Sequence, residues 1–482
     1  MDNQNYTLLC DFYEITMANG YFELGRKDEI AYFDVFYRTI PDGGGFAIFA
    51  GLEQLIEYVR NLHFTDRDIE FLRGKGQFSE EFLEYLRGFR FSGDIYSVPE
   101  GTPIFPGEPI ITVRAPVIEA QIIETFFLLT INLQALIATK ASRIVRAAAG
   151  RSVAEFGSRR AQGAQGAILG ARAAYIGGCS STACTFSDRD YHIPASGTMA
   201  HSWVQMFDDE YSAFKAYCEL YPENATLLID TYNVLGSGVP NAIRAFKEVL
   251  VPRGIRKFAV RLDSGDIAYL TKKIRKMFDE AGLPECKIVV SNSLDETIIR
   301  DLITQGAQID AFGVGERLIT AKSDPVFGCV YKLCAVEEEG RIVPKIKISE
   351  NIEKITNPHF KNLYRIFDNE SGKAIADYIT LRTESPDFSQ PLELFDPVST
   401  WKRKTVTDYT AVELLRPVFV GGECVYDCPD IEEIKDYCKE QVDRLWDEVK
   451  RFENPHRYYV DLSTELWELK HLMLKSGGKS QS

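Results

Sequence analysis

Four short apolar runs, each ending in a polar or glycine-rich turn, decide the fold: TLLIDTYN at 226–233, FAVRLDSGD at 258–266, KIVVSNSLDE at 287–296 and AFGVGERL at 311–318. Two more of the same kind lie upstream, SVAEFGSRR at 152–160 and IPASGTMAHS at 193–202. The apolar parts have strand length: Ser152–Phe156, Ile193–Ala195, Thr226–Ile229, Phe258–Arg261, Ile288–Ser291 and Ala311–Val314. Helical periodicity fills most of the gaps, at Arg172–Ile176, Glu210–Leu220, Pro240–Val251, Ile267–Ala281 and Asp295–Gln305. Parallel strands need such crossovers, and runs spaced about 25–40 residues apart leave room for them. In an α/β barrel the active site forms at the C-terminal strand ends. Six polar strand ends in succession favour that barrel over an open doubly wound sheet, although periodicity alone does not show closure.

Upstream, Leu8–Tyr21 reads as helix and Ile30–Tyr37 alternates as a strand does. The stretch Gly93–Pro116, rich in Gly and Pro, suggests a small β-domain. A long helix is expected over Ile118–Ala149, because Ile122, Phe126, Leu129, Leu133 and Leu136 recur at three- and four-residue steps and Gly150 can end it. Downstream of Glu350, Asn351–Ala376 and Phe388–Val420 read as hairpins and Ile431–Phe452 as a charged amphipathic helix. The division expected is a mixed α+β domain at 1–130, a barrel at 131–350 and an appended domain at 351–482, with GGKSQS at the end as a frayed tail.

The chain has 482 residues, with 55 Lys+Arg against 70 Asp+Glu, for a net charge of −15. That balance argues against binding nucleic acid or an anionic membrane surface. The N-terminal sequence has no basic region followed by an apolar one, so no secretory signal is expected. The apolar stretch Ile122–Ile137 is interrupted by Glu124, Asn132 and Gln134 and reads as a buried helix rather than a span. Ten cysteines without a ligand pattern point to reduced thiols in the cytoplasm, and no metal-ligand set is apparent.

Against the acidic background, Lys140–Tyr175 holds seven bases and one acid, a net +6. Two anionic substrates are expected to converge there. Arg143 and Arg146 also fit a solvated helix face, whereas Arg159 and Arg160 stand at a strand end beside Gly157, where an arginine fork suits phosphate or carboxylate. The turns Gly177–Thr182 and Gly313–Glu316 could bring backbone N–H groups onto a phosphate, but tight strand-to-helix turns need the same glycines. His201 follows a strand end among Ser196, Thr198 and Ser202, a setting for nucleophilic or acid–base work. Arg261-Leu262-Asp263-Ser264-Gly265-Asp266 places a cation beside two carboxylates, one of which could instead cap the next helix. HExxH, GxSxG and GxxxxGK[ST] are missing, which removes the usual support for zinc protease, serine hydrolase and P-loop kinase.

Taken together, FYEITMANGY (12–21), EFGSRRAQG (155–163), AAYIGG (173–178), PASGTMAHSW (194–203), LIDTYN (228–233), VRLDSGD (260–266), SNSLDE (291–296), GVGERL (313–318) and GCVYKL (328–333) resemble the nicotinate phosphoribosyltransferase family in content and order. The resemblance implies a type II phosphoribosyltransferase α/β barrel with flanking domains. It also implies a cytosolic enzyme of NAD biosynthesis that joins nicotinate to 5-phosphoribosyl-1-pyrophosphate. The coupling it implies is to ATP, with Mg²⁺ and a phosphohistidine, in a homodimer with shared active sites. By the same resemblance His201 is the phosphorylated residue, Thr198 and Arg261 lie at nicotinate, and Asp263 lies near the ring. Phe156 and Tyr13 face the pyridine, Tyr13 from the other subunit; Arg159 meets the phosphoribosyl pyrophosphate, and Gly313 and Gly315 belong to a phosphate turn. Where many relatives have threonine after GVG this chain has Glu316, a carboxylate that needs Mg²⁺ or Arg317 beside it to tolerate a phosphate. The alternatives are a relative that uses nicotinamide and a non-catalytic binding protein on the same barrel.

Overall fold

A computed structural model of the chain describes residues 5–351 and 354–478. The last four residues of the expected frayed tail lie outside them. The chain forms two compact units, one of residues 137–325 and one of the residues before and after that stretch.

The middle unit holds six strands: β1 (Ser152–Glu155), β2 (Ser181–Thr182), β3 (Thr226–Leu228), β4 (Ala259–Leu262), β5 (Lys287–Val290) and β6 (Ala311–Val314). All neighbours are parallel, in the order β2-β1-β6-β5-β4-β3. That order is the chain order turned around a ring. The last strand returns to the first, with Gly313 opposite Ala154 and Val314 opposite Glu155. An open doubly wound sheet reverses its order at a switch point; this sheet instead curls as a barrel does, open between β2 and β3. Ile193–Ala195, expected as a strand, contributes only a parallel bridge from Ala195 to Thr182. Pro194 lacks the N–H that a fuller ladder would need there. β2 was hidden from the sequence because Ser181 and Thr182 carry no apolar alternation.

Helices pack on the strands by the faces their periodicity marks. Ile267–Glu280 buries Ala268, Thr271, Ile274 and Phe278 and starts at Asp266, whose Oδ1 accepts the Tyr269 N–H at 2.9 Å. Asp295 caps Glu296–Thr304 in the same way, accepting the Ile298 N–H at 2.9 Å. Such a cap contributes about 1 kcal/mol. Of the two carboxylates in RLDSGD, then, Asp266 is the cap and Asp263 is left for other work. The expected long helix runs as Val117–Ile122 and Glu124–Ala147. Taken together it is long and apolar enough to cross a membrane, yet Ile118, Ile122, Phe127, Ile131, Ala135 and Ile144 are buried in protein. Of the expected apolar face Ile122 and Leu136 are buried, Phe126 and Leu133 partly so, and Leu129 is exposed, so the buried face is not the one its periodicity marked.

The basic window does not act as a block. Lys140 and Arg143 are buried and share Glu296 Oε1 at 2.8 and 3.0 Å. Arg172 is buried against the Tyr191 ring. These cations serve the interior of the unit, and neither a solvated helix face nor a substrate surface describes them. Only Arg159 and Arg160 of the window stand exposed at a strand end.

In the other unit, Ile30–Phe36 lies between Val330–Glu338 and Ile111–Pro116 in a seven-stranded sheet, antiparallel to both. Asp94–Ser97 pairs with Ile111–Pro116, so two strands of Gly93–Pro116 belong to this larger sheet, while Pro103–Ile104 between them pairs with Ala47–Ile48. The expected hairpins appear as Lys361–Asp368 with Ala374–Leu381 and Leu392–Phe395 with Arg403–Val406. The charged helix ends early, as Ile431–Asp443. None of the ten cysteines, all among the described residues, forms a disulfide.

Candidate active site at the strand ends

The C-terminal ends of β1, β3, β4, β5 and β6 and the loop after Ala195 bring together most of the residues singled out in the sequence. Glu155 starts the arrangement. Its buried carboxylate accepts the Gly157 N–H and, at 2.7 Å, the Thr182 hydroxyl, so the chain leaving β1 is fixed where Phe156 begins. Burial raises the Glu155 carboxyl above its ordinary range, and the two donors pull it back. The Phe156 N–H then donates to Val314 O at 2.8 Å. A Cβ on Gly313 would come within 2.5 and 2.6 Å of the Phe156 ring, and one on Gly315 within 2.9 Å of the Phe156 carbonyl oxygen. Packing against Phe156 therefore accounts for both glycines before any ligand is considered.

Beyond them, Glu316 is not left facing a ligand alone. Lys322 Nζ lies 3.1 Å and Arg160 Nε 3.8 Å from its carboxylate oxygens. Lys322 chiefly holds the carboxyl below its ordinary range. Arg317, the expected neutraliser, forms its ion pair with Asp295 instead.

His201 opens the short helix His201–Gln205. Its Nδ1 is 3.1 Å from the Thr231 hydroxyl, while Nε2 lies 4.0 Å from Asp230 Oδ1 and 3.9 Å from Asp263 Oδ2. Asp230 ties two strand ends together: its Oδ2 accepts the Asp263 N–H at 3.0 Å and the Ser264 hydroxyl at 2.6 Å. Its Oδ1 is buried without a hydrogen-bond partner.

Arg261, on β4, points into the same cluster. Nη2 donates to Met199 O at 2.9 Å and Nη1 to Ser291 Oγ at 3.2 Å, and Nη1 is 3.7 Å from Asp263 Oδ1. Burial pulls its guanidinium below the ordinary value, opposed by Asp263 and Asp230 and assisted by Arg159. Thr198, next to Met199, is half-buried, with its hydroxyl turned to the Met199 carbonyl oxygen at 3.3 Å. Tyr13 belongs to the other unit. It stands exposed on the helix Phe12–Glu23, beside the exposed Leu9, Phe12 and Met17.

Asp230, Thr231 and Ser291 were not singled out in the sequence. Asp230 carried a usable signal, since it follows the apolar run Thr226–Ile229 at the strand end, as Arg261 and Asp263 follow theirs. Among the described residues no group of three or more His, Cys, Asp or Glu side chains is placed to hold a metal ion.

The cluster thus offers a histidine flanked by two carboxylates, a half-buried arginine held by neighbours, an aromatic ring at the end of β1 and exposed arginines beside it. It can bind a flat anion and polyphosphates and can accept a phosphoryl group.

Comparison with known proteins covers nearly the whole chain. Models of the nicotinate phosphoribosyltransferase N-terminal domain, family domain and C-terminal domain match residues 8–132, 151–371 and 360–470. A nicotinate phosphoribosyltransferase of Bacillus subtilis (strain 168) is 45% identical over 97% of this chain and 95% of its own. One from Mus musculus is 32% identical over 95% of both. Among solved structures, human nicotinic acid phosphoribosyltransferase superposes with a TM-score of 0.83 at 28% identity, over 98% of this chain and all of that one.

Proposed function

The chain belongs to the nicotinate phosphoribosyltransferase family, and from that we propose which chemistry its strand-end cluster performs. The enzyme acts in NAD biosynthesis. It joins nicotinate to 5-phosphoribosyl-1-pyrophosphate, giving nicotinate mononucleotide and pyrophosphate. The observation that carries this reading is Arg261, a half-buried cation held at Nη1 and Nη2, in a cluster whose other charges are mostly carboxylates. A flat anion needs such a cation for its carboxylate and a ring to stack on, and Phe156 supplies the ring. Thr198 lines the same loop.

In the reaction the pyridine nitrogen forms a bond to ribose C1 as the C1–O bond to pyrophosphate breaks. The electron pair of that bond leaves with pyrophosphate. The protein's part is to hold the two reactants in line and to meet the charge that develops on the leaving group. Arg159 and Arg160 are the exposed cations for it, and the turn at Gly315 lies next to them. Mg²⁺ usually takes one or two protein carboxylates and completes its shell with substrate phosphates and water. The buried, unpartnered Oδ1 of Asp230 and the neighbouring Asp263 fit that need. When bound, the ion would neutralise part of the pyrophosphate charge.

ATP coupling is read through His201. Its Nδ1, beside the Thr231 hydroxyl, is the nitrogen assigned as acceptor, with Asp230 and Asp263 on the Nε2 side. That nitrogen attacks the terminal phosphorus of ATP as the bond to ADP breaks, and the Thr231 hydroxyl gives way to the phosphoryl group. Working as a homodimer in the cytosol would let Tyr13, exposed among apolar neighbours, reach the ring bound by a second copy.

Turnover with nicotinate and with nicotinamide, each with and without ATP, tests the assignment. The expected result is nicotinate mononucleotide formed faster with ATP, with nicotinamide a poor substrate; a preference for nicotinamide would overturn it. In Arg159→Ala the KM for phosphoribosyl pyrophosphate should rise about tenfold, as loss of one charge-assisted contact implies, with the KM for nicotinate little changed. An unchanged KM for phosphoribosyl pyrophosphate would remove Arg159 from that site.

A further inference from the structure

Arg261 and Asp263 are two residues apart at the end of one strand, so their side chains share a face. An arginine and a carboxylate so placed would ordinarily close into a bidentate fork, with N–O distances under about 3 Å. Here the nearest pair is 3.7 Å apart, and a hydroxyl stands between them. Ser291 Oγ accepts from Arg261 Nη1 at 3.2 Å and donates its single proton to Asp263 Oδ1.

The hydroxyl is fixed by more than these two contacts. Ser291 is 4% exposed. Its N–H donates at 3.0 Å to the carbonyl oxygen of Leu262, the residue between Arg261 and Asp263. Directly after it Asn292 and Ser293 have φ of 83° and 53°, a left-handed turn that is uncommon for two successive non-glycine residues. The chain turns away there, and Ser291 remains at the ladder's end.

We propose that Ser291 is a positioning residue for acid selectivity: its hydroxyl keeps Arg261 and Asp263 from closing on each other, so that the guanidinium stays open to the carboxylate of the incoming base. The proposal rests on Arg261 being that carboxylate's partner. Three features support it. Nη1 and Nη2 each spend one hydrogen, on Ser291 Oγ and Met199 O, and each keeps a second. The side chain is 13% exposed, enough to be reached from the cluster. And the spacer is a neutral group with one proton and free lone pairs, which can serve the cation and the anion at once. A second carboxylate there would capture Arg261, and a methyl group would let it fall onto Asp263.

The test compares Ser291→Ala, Ser291→Thr and Arg261→Ala by steady-state kinetics with nicotinate, nicotinamide and phosphoribosyl pyrophosphate. Ser291→Ala should raise the KM for nicotinate about tenfold, the usual cost of a lost hydrogen bond to a charged group. It should lower the nicotinate-to-nicotinamide ratio of kcat/KM by a similar factor and leave the KM for phosphoribosyl pyrophosphate unchanged. Ser291→Thr, which keeps the hydroxyl, should recover most of the loss. A purely structural role would instead affect both bases and both substrates alike, and that result overturns the proposal. If Ser291→Ala does not fold, Ser291→Cys, a weaker donor of similar size, carries the same comparison. Should Arg261→Ala itself leave the KM for nicotinate unchanged, the parent reading of Arg261 fails. If Arg261→Ala raises it and Ser291→Ala does not, only the role of Ser291 fails.

Discussion

A His201→Ala enzyme is expected to stop hydrolysing ATP in step with product while still forming the mononucleotide slowly. A phosphoryl acceptor requires a nucleophilic atom with a lone pair, and His201 has one braced for it. Its Nε2 faces two carboxylates at 3.9 and 4.0 Å, and its Nδ1 faces a hydroxyl at 3.1 Å. Alanine removes the acceptor but leaves Arg261, Phe156 and Arg159 where the two substrates would meet. The ratio of ADP released to nucleotide formed should fall from about one to none, as loss of the proposed covalent acceptor requires. Ribosyl transfer should persist at low efficiency, on the order of a hundredfold below the parent in kcat/KM, because the energy that the proposed coupling would supply is no longer available for binding. Measuring ADP and mononucleotide in one reaction decides it. ADP still appearing once per product would mean that the phosphoryl group goes elsewhere.

The strand ends were legible because a parallel barrel writes them plainly. A buried strand is a short apolar run, and the polar residue that breaks it is already at the active-site face. His201, Arg261, Asp263 and Phe156 could all be marked that way. What the sequence could not show is which charges neutralise one another. Lys140 and Arg143 look like a basic surface in the chain, yet they meet Glu296, more than 150 residues away, inside the unit. Glu316 looks repulsive beside a phosphate until Lys322 and Arg160 are seen against it. Gly313 looks like a phosphate turn, and its lack of a side chain is required by the Phe156 ring. Asp230 stands at a strand end as Arg261 and Asp263 do, but that position alone does not say which partners it meets. Only its bonds to Asp263 and Ser264 make it part of the site. Pairing across the barrel is a property of the curled sheet, and no local pattern encodes it.

Arg261→Ala is expected to reduce kcat/KM for nicotinate on the order of a thousandfold, the scale seen when a buried charged partner of a substrate is removed. Two effects act in the same direction. The carboxylate of the base loses its cation, and Asp230 and Asp263 lose the charge that offsets them. The emptied site then repels an anion as well as failing to bind it. Nicotinamide carries no charge and suffers only the loss of positioning, so its kcat/KM should fall far less. The nicotinate-to-nicotinamide ratio should therefore shift toward the amide by about two orders of magnitude, as the difference between a charged and a neutral partner implies. Arg261→Lys should recover part of the nicotinate activity, because it restores the charge but not the planar fork that reaches Met199 O and Ser291 Oγ together. Competing the two bases against each other reads the ratio directly. A ratio unchanged in Arg261→Ala would mean that the carboxylate is recognised by another group, with Arg159 the next cation to replace, since its charge already acts on Arg261.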